Sequence, residues 1–266
     1  MYDEYLKFSK GLAYEAGEVM KKYFKDELQV ELKEDDTIVT VADKEINQLV
    51  INRIKSKYPD HAVCGEEQSH AIDSQYVWVC DPIDGTNPFA MELPISVFSL
   101  AIVVDGVPKA GVIYSPFVDK LYYAQEGRGA FVNNNKLSVN SVGFGKKARM
   151  NFDWWPEAEF DFLENLRDLA LKENVYMLSP GSTTHAAALV ASGEFVASVF
   201  PGTTGKNVDI AAAKIIVEEA GGKVTDFYGN EQRYDEDKIN GAIVSNGIVH
   251  KKLVKALKGT EIKHEV

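Results

Sequence analysis

Two carboxylates, a proline, a glycine and a hydroxyl stand together in Asp81-Pro82-Ile83-Asp84-Gly85-Thr86, directly after the apolar run Tyr76-Val77-Trp78-Val79-Cys80. The run reads as a buried strand that ends in a sharp, oxygen-rich turn. Carboxylates three apart across a proline-constrained turn can converge on a hard cation. Gly85 and Thr86 can present backbone N–H groups to an anion. These residue types point to metal-assisted phosphate chemistry. Two further acidic segments can join the turn: Cys64-Gly65-Glu66-Glu67 ends another apolar run, and Asn207-Val208-Asp209 leads into the helix start Ile210-Ala211-Ala212-Ala213. Singly, Asp209 is a common helix N-cap, Glu66-Glu67 a solvated acidic pair, and the 81–86 turn a structural calcium loop. Their spread from residue 66 to residue 209 argues against a local calcium loop, and their combination in one chain carries the reading.

Other motifs fall away. Gly202-Thr203-Thr204-Gly205-Lys206 has neither the glycine spacing of a nucleotide phosphate loop nor a hydroxyl residue after the lysine. Gly143-Phe144-Gly145 lacks the third glycine of a dinucleotide turn. His61, His70, His185, His250 and His264 show no HxxxH spacing, which speaks against a zinc site. Cys64 and Cys80 form no CxxC pair, and nothing in the sequence activates the Cys64 thiol, so it reads as core filler. A formal charge of −11 speaks against a nucleic-acid partner, and it requires local cations wherever an anionic substrate binds. Residues 1–10 carry charges throughout, without a signal-peptide core, and no apolar run reaches the length of a membrane span. A reduced, cytoplasmic protein with no membrane partner is the expectation.

These side chains need elements to hold them. Tyr5, Phe8, Leu12, Ala16, Val19, Met20 and Phe24 recur at helical spacing, predicting an amphipathic helix over 3–25. A second helix is expected over 43–57, before Pro59. Strands are expected at 61–65, 76–80, 96–104, 109–114 and 119–124, the last four as an antiparallel meander turning at Asp105-Gly106 and Ser115-Pro116. Residues 137–139 read as one more short strand. In the second half, helical patterns at 156–172, 183–192, 209–220 and 247–258 alternate with apolar runs at 175–178, 195–200 and 242–245. That rhythm predicts a sheet covered by helices. The chain is long enough for one large domain or two tightly packed halves. The interruption at 142–147 separates an N-terminal α+β half (1–142), with the antiparallel sheet and the acidic turn, from a C-terminal α/β half (143–266) contributing Asp209. Trp154-Trp155, just after that junction, reads as core or as a subunit contact.

The chain resembles the inositol monophosphatase superfamily of magnesium-dependent, lithium-sensitive phosphatases, which includes fructose-1,6-bisphosphatase-like members. The markers run nearly end to end: Val39-Thr40-Val41-Ala42-Asp43, Gly65-Glu66-Glu67, Asp81 to Thr86, Gly111-Val112-Ile113-Tyr114-Ser115-Pro116, and Asp209-Ile210-Ala211-Ala212 leading to Glu219-Ala220-Gly221-Gly222. The resemblance implies an α+β fold layered as an αβαβα sandwich, and a phosphomonoesterase for a small polyol or sugar phosphate, similar to inositol 1-phosphate. It also implies a homodimer. Glu66, Asp81 and the Ile83 carbonyl would hold one Mg²⁺; Asp81 would bridge to a second, bound also by Asp84 and Asp209, with two or three ions per site. Thr86, oriented by Asp43, would join Glu66 in positioning a metal-activated water for direct attack on phosphorus. Asp84, Gly85 and Thr86 would line the phosphate position, and Gly181-Ser182-Thr183 would offer small donors to the substrate.

Three departures bear on the substrate. Pro88 in Asn87-Pro88-Phe89 cannot donate an N–H, though it suits a first helical turn. Phe200 or Pro201 stands where inositol-specific members carry a hydroxyl-binding Glu, and Val208 replaces the usual Trp before Asp209. A pocket without that Glu loses discrimination among polyols. Histidinol phosphate, fructose 1,6-bisphosphate and 3′-phosphoadenosine phosphate are therefore alternatives, and Lys206 could meet a second anionic group. A non-catalytic metal- or phosphate-binding homologue is the reading from another class; the presence of every expected ligand and of Thr86 disfavours it.

Overall fold

Residues 97–104 set the layering. Val97, Ala101 and Val103 join one hydrophobic core, while Phe98, Leu100, Ile102 and Val104 join another. A strand apolar on both sides must be covered on both sides. The structure is a computed structural model that describes residues 2–24, 30–32, 38–155, 158, 160–202, 207–236, 239–258 and 260–262. Helix α1 (Tyr2–Tyr23) is followed by an antiparallel pair, β1 (Val30–Leu32) and β2 (Ile38–Thr40), and by α2 (Val41–Lys57). The first sheet has seven strands in sequence order: β3 (Ala62–Gly65), β4 (Tyr76–Asp84), β5 (Val97–Val104), β6 (Val107–Ser115), β7 (Lys120–Gln125), β8 (Ala130–Val132) and β9 (Asn135–Lys136). The short helix α3 (Thr86–Ala90) lies between β4 and β5. The predicted meander is present, with β3 added parallel to β4 at one edge. Asp105 (φ 51°) and Gly106 (φ 84°) join β5 to β6. Positive φ at both central residues is the geometry that matches the twist of a tight hairpin.

The second half supplies β10 (Arg149–Phe152), β11 (Phe160–Asp161), α4 (Leu163–Glu173), β12 (Tyr176–Leu178), α5 (Thr183–Ala191), β13 (Ala197–Phe200), α6 (Asn207–Glu219), β14 (Lys223–Thr225), β15 (Ala242–Ser245), α7 (His250–Leu257) and β16 (Glu261–Ile262). Its five-stranded sheet runs β12-β10-β13-β15-β14, with β12, β10 and β13 parallel to one another. Helices α1 and α2 cover one face of the first sheet, and α5 and α6 fill the space between the two sheets. Helices α4 and α7 cover the far face of the second sheet. The result is the αβαβα stack.

Close approach within the stack is built into particular residues. A Cβ on Gly111 of β6 would lie 3.0 Å from Ala212 Cα and 3.0 Å from Ile215 Cγ2, so α6 can lie flat on the sheet only over a glycine. The Glu219 carboxylate, at the end of α6, accepts the Gly127 and Gly129 N–H groups at 2.7 and 2.6 Å. Residues 137–139 do not form the expected strand: Leu137 N–H bonds Ala130 O and Val139 N–H bonds Ala220 O, two different elements, so no ladder develops. The helix expected from 156 begins at Leu163, after the two-residue strand β11. The tryptophan pair divides, Trp155 packing against the core between the sheets while Trp154 stays exposed. Among the described residues no helix is long and apolar enough to cross a membrane.

Candidate active site

Strand β4 carries its carboxylates past a register shift. Asp81 pairs with Ser99 and Asp84 with Val97, leaving Pro82 and Ile83 as a bulge between them. Proline is tolerated at such a break because no ladder N–H is needed there. Gly85 ends the strand with φ +85° and caps α3; a Cβ there would lie 3.1 Å from both Gly181 O and Ser182 Cβ. Gly181 itself has φ +88°, and a Cβ on it would meet Pro88 Cγ at 3.0 Å. The two glycines let the acidic turn and the 181–183 segment press together, with Pro88 packed into the join.

The first turn of α5 then grips the site. Ser182 caps the helix, accepting from His185 N–H at 3.3 Å, and its hydroxyl donates to Asp84 Oδ2. Thr184 N–H donates to the same oxygen at 2.9 Å, and the Thr184 hydroxyl donates to Asp209 O at 2.8 Å. Asp209 lies in the first turn of α6. Asp81, Asp84 and Asp209 are all buried and offer carboxylate oxygens within 4.8 Å of one another. Burial pushes the Asp84 pKa up to about 6; the Ser182 and Thr184 hydrogen bonds oppose that rise, and Glu66 adds to it. Like charges this close favour a shared cation, and an all-oxygen donor set suits Mg²⁺ or another hard divalent ion.

Glu66 follows the end of β3, and its N–H bonds Cys80 O at 3.1 Å, immediately before Asp81. Its carboxylate is half-buried and outside the close triad, yet its charge reaches both Asp84 and Asp43. Asn47 supports this turn by donating to Gln68 O at 2.8 Å, and a Cβ on Gly65 would collide with Asn47 Oδ1. Asp43 sits in the capping box of α2, where its Oδ2 accepts from the Thr40 N–H and hydroxyl. Its Oδ1 is buried, with no hydrogen-bond partner among the described residues. Burial pushes its pKa up to about 7, with Glu66 and Glu67 adding to the rise. The Thr86 hydroxyl donates to Ile83 O at 3.1 Å rather than to Asp43. That is the local bond expected of a threonine in a tight turn.

Phe200, one of the two residues expected where relatives carry a hydroxyl-binding Glu, is fully buried, its ring 5.7 Å from that of Trp155. Lys206 lies outside the described residues, as do Thr203, Thr204 and Gly205. Cys64 packs against the core between the sheets, as its neighbours suggested. The sequence reading passed over Asp153, a buried carboxylate at the end of β10. Burial raises its pKa to about 7; the charge of Asp84 adds to this, and the hydrogen bond from Asn151 opposes it. The signal available was Asn151 and Asp153 alternating with Met150 and Phe152, a strand with one polar side.

Five layers, with carboxylates from both halves converging at their seam, define the class of metal-dependent phosphatases. A family model described as the inositol monophosphatase family matches residues 1–261. The chain belongs to that family, and is a phosphoric monoester hydrolase. It is 32% identical over 238 residues to inositol monophosphatase 1 of Bos taurus, covering 86% of this chain and 85% of the relative. It is 32% identical over 256 residues to a histidinol-phosphatase of Chlorobaculum parvum, covering 95% and 96%. Among solved structures, Thermotoga maritima IMPase superposes with a TM-score of 0.84 at 30% identity, over 96% of this chain and 97% of that one.

Proposed function

We propose that this enzyme hydrolyses a small polyol or sugar phosphate by direct attack of water on phosphorus, without a phospho-enzyme. The observation that carries the reading is the convergence of Asp81, Asp84 and Asp209 beside the first turn of α5. Glu66, Asp81 and the Ile83 carbonyl would hold one Mg²⁺, and Asp81, Asp84 and Asp209 a second, with two or three ions per site. When bound, Mg²⁺ supplies Lewis acidity that lowers the pKa of water and stabilises charge on the phosphate and the leaving alkoxide. Glu66, half-buried just after β3, would take up a proton from the attacking water. The Thr86 hydroxyl turns from Ile83 O toward Asp43 Oδ1, which fixes its proton and points its oxygen lone pairs at that water. Backbone N–H groups of Gly85 and Thr86 face the phosphate at the start of α3, and Gly181, Ser182 and Thr183 border the leaving group.

A second reading, histidinol phosphate, draws support from the buried Phe200 and from the near full-length match to the histidinol-phosphatase relative. The same proposal takes the enzyme as a lithium-inhibited, cytoplasmic homodimer whose two halves divide near residue 142. The test is phosphate release with Mg²⁺ from inositol 1-phosphate, histidinol phosphate, fructose 1,6-bisphosphate and 3′-phosphoadenosine phosphate. Li⁺ inhibition and an Asp84→Asn control accompany it, and sedimentation gives the oligomeric state. Turnover of at least one substrate is expected, falling on the order of 100-fold in Asp84→Asn. Unchanged turnover in Asp84→Asn would overturn the site assignment.

A further inference from the structure

We infer that Ser96 and His185 are positioning residues for Asp84, closing a ring of hydrogen bonds that fixes its carboxylate at the metal centre. The inference rests on the reading that Asp84 binds the cation.

Three segments meet at Gly85. A Cβ built on it would lie 3.1 Å from Gly181 O, 3.1 Å from Ser182 Cβ and 3.4 Å from Ser96 Oγ. Ser96 is fully buried and, with Ile95, directly precedes β5, whose first residue Val97 pairs with Asp84 across the sheet. The Ser96 hydroxyl donates to Gly85 O at 2.8 Å. The neighbouring Ile95 carbonyl meets His185 Nδ1 at 2.7 Å. A carbonyl only accepts, so this ring nitrogen carries the proton. His185 follows Thr184 in the first turn of α5, and the Thr184 N–H donates to Asp84 Oδ2 at 2.9 Å. The path closes on itself: Asp84 to Gly85 along the chain, across to Ser96, back to Ile95, across to His185, back to Thr184, and across to Asp84 again. Ser182 braces this ring, accepting from the His185 N–H at 3.3 Å while its hydroxyl donates to Asp84 Oδ2. Satisfying Gly85 O does not require Ser96, because the Phe89 N–H also bonds that oxygen at 3.0 Å. What the Ser96 hydroxyl adds is the link between the strand end and the helix. The Thr184 bond alone sets a distance between the two; the ring also sets the angle at which the carboxylate leaves β4. Hydrogen bonds that lock the orientation of a metal ligand set the affinity of its site.

The test is direct binding of Mn²⁺, an oxygen-seeking surrogate for Mg²⁺, to the substrate-free protein, followed by the EPR signal of the free ion. Ser96→Ala and His185→Leu should each weaken binding by about 10-fold, the lower end of the range for outer partners of a metal ligand. The double variant should be no weaker than the weaker single one, because a ring opened once is already open. His185→Asn, whose amide can donate from near the Nδ1 position, should lie closer to wild type than to His185→Leu. Asp84→Asn should bind more weakly than any of these. Wild-type affinity in Ser96→Ala would overturn the inference, as would multiplied losses in the double variant or a His185→Asn as weak as His185→Leu. A role confined to folding would lower the unfolding temperature and leave Mn²⁺ affinity in place, which also overturns it. A wild type that does not bind Mn²⁺, or an Asp84→Asn that binds it as tightly as wild type, would instead remove the metal assignment, and the inference with it.

Discussion

Phe200 shows how far a single residue can be read from its type. Its apolar character is plain in the sequence; its burial against Trp155 is not, because that depends on how β13 seats over the inter-sheet core. Phe200→Glu should therefore not create polyol recognition. It buries an unpaired carboxylate, and should cost about 3–5 kcal/mol of stability with no gain in turnover of inositol 1-phosphate. Urea unfolding and a substrate assay check both halves of that statement. The spacing of the histidines says nothing of where they lie. His250 is buried between Ser245 Oγ at 2.8 Å and Thr225 Oγ1 at 2.9 Å, and burial lowers its pKa from 6.5 to about 4. The unfolded chain protonates this ring below pH 6.5 and the folded one does not until about pH 4. Stability from His250 is thus full above pH 6.5 and lost on the way down to pH 4, by roughly 3 kcal/mol. Asp43 acts in the opposite sense: its raised pKa, about 7, lets the folded chain bind a proton first, adding stability as pH falls below 7. The contribution of His250 is the difference between wild type and His250→Asn across urea midpoints from pH 7 to pH 4. Parallel curves for the two proteins would show the ring is not the group responsible.

At the scale of elements, apolar runs bounded by turn residues were what was legible. Strands β4 to β7 are such runs and were expected; β10 was not, because Asn151 interrupts its apolar residues and lysines crowd its start. Residues 137–139 alternate but find one hydrogen-bond partner each on separate elements, so alternation without a neighbouring strand misled. Gly111 marks the opposite case, a small residue whose meaning lies wholly in the helix above it. Gly111→Ala should push α6 away from β6 and cost about 1–3 kcal/mol by overpacking. Because α6 carries Asp209, the variant should also weaken Mn²⁺ binding; thermal unfolding and metal titration measure the two effects separately. An unchanged unfolding temperature would mean that α6 lifts without cost.

For the whole molecule, the interruption near residue 142 was visible in composition, whereas the core shared across it was not. Val79, Ala101 and Ile113 from the first sheet enclose the same apolar layer as Ala187, Ala212 and Val244 from the second half. Neither half can keep that surface dry alone, so unfolding should be one cooperative event, with near- and far-ultraviolet circular dichroism changing together. Two resolved transitions would contradict it. Saturating Mg²⁺ should raise the midpoint by mass action, about 2.7 kcal/mol at a hundredfold excess over Kd. The bond between Asp84 and the N–H of Thr184 joins residues 100 apart in the chain, and that separation is also a delay. A ribosome adding roughly 5–20 residues per second makes the acidic turn about 5–20 seconds before its partner helix exists. Through that interval the nascent chain carries its aspartates unheld and its sheet half-covered, so the acidic cluster is among the last things the protein acquires at birth.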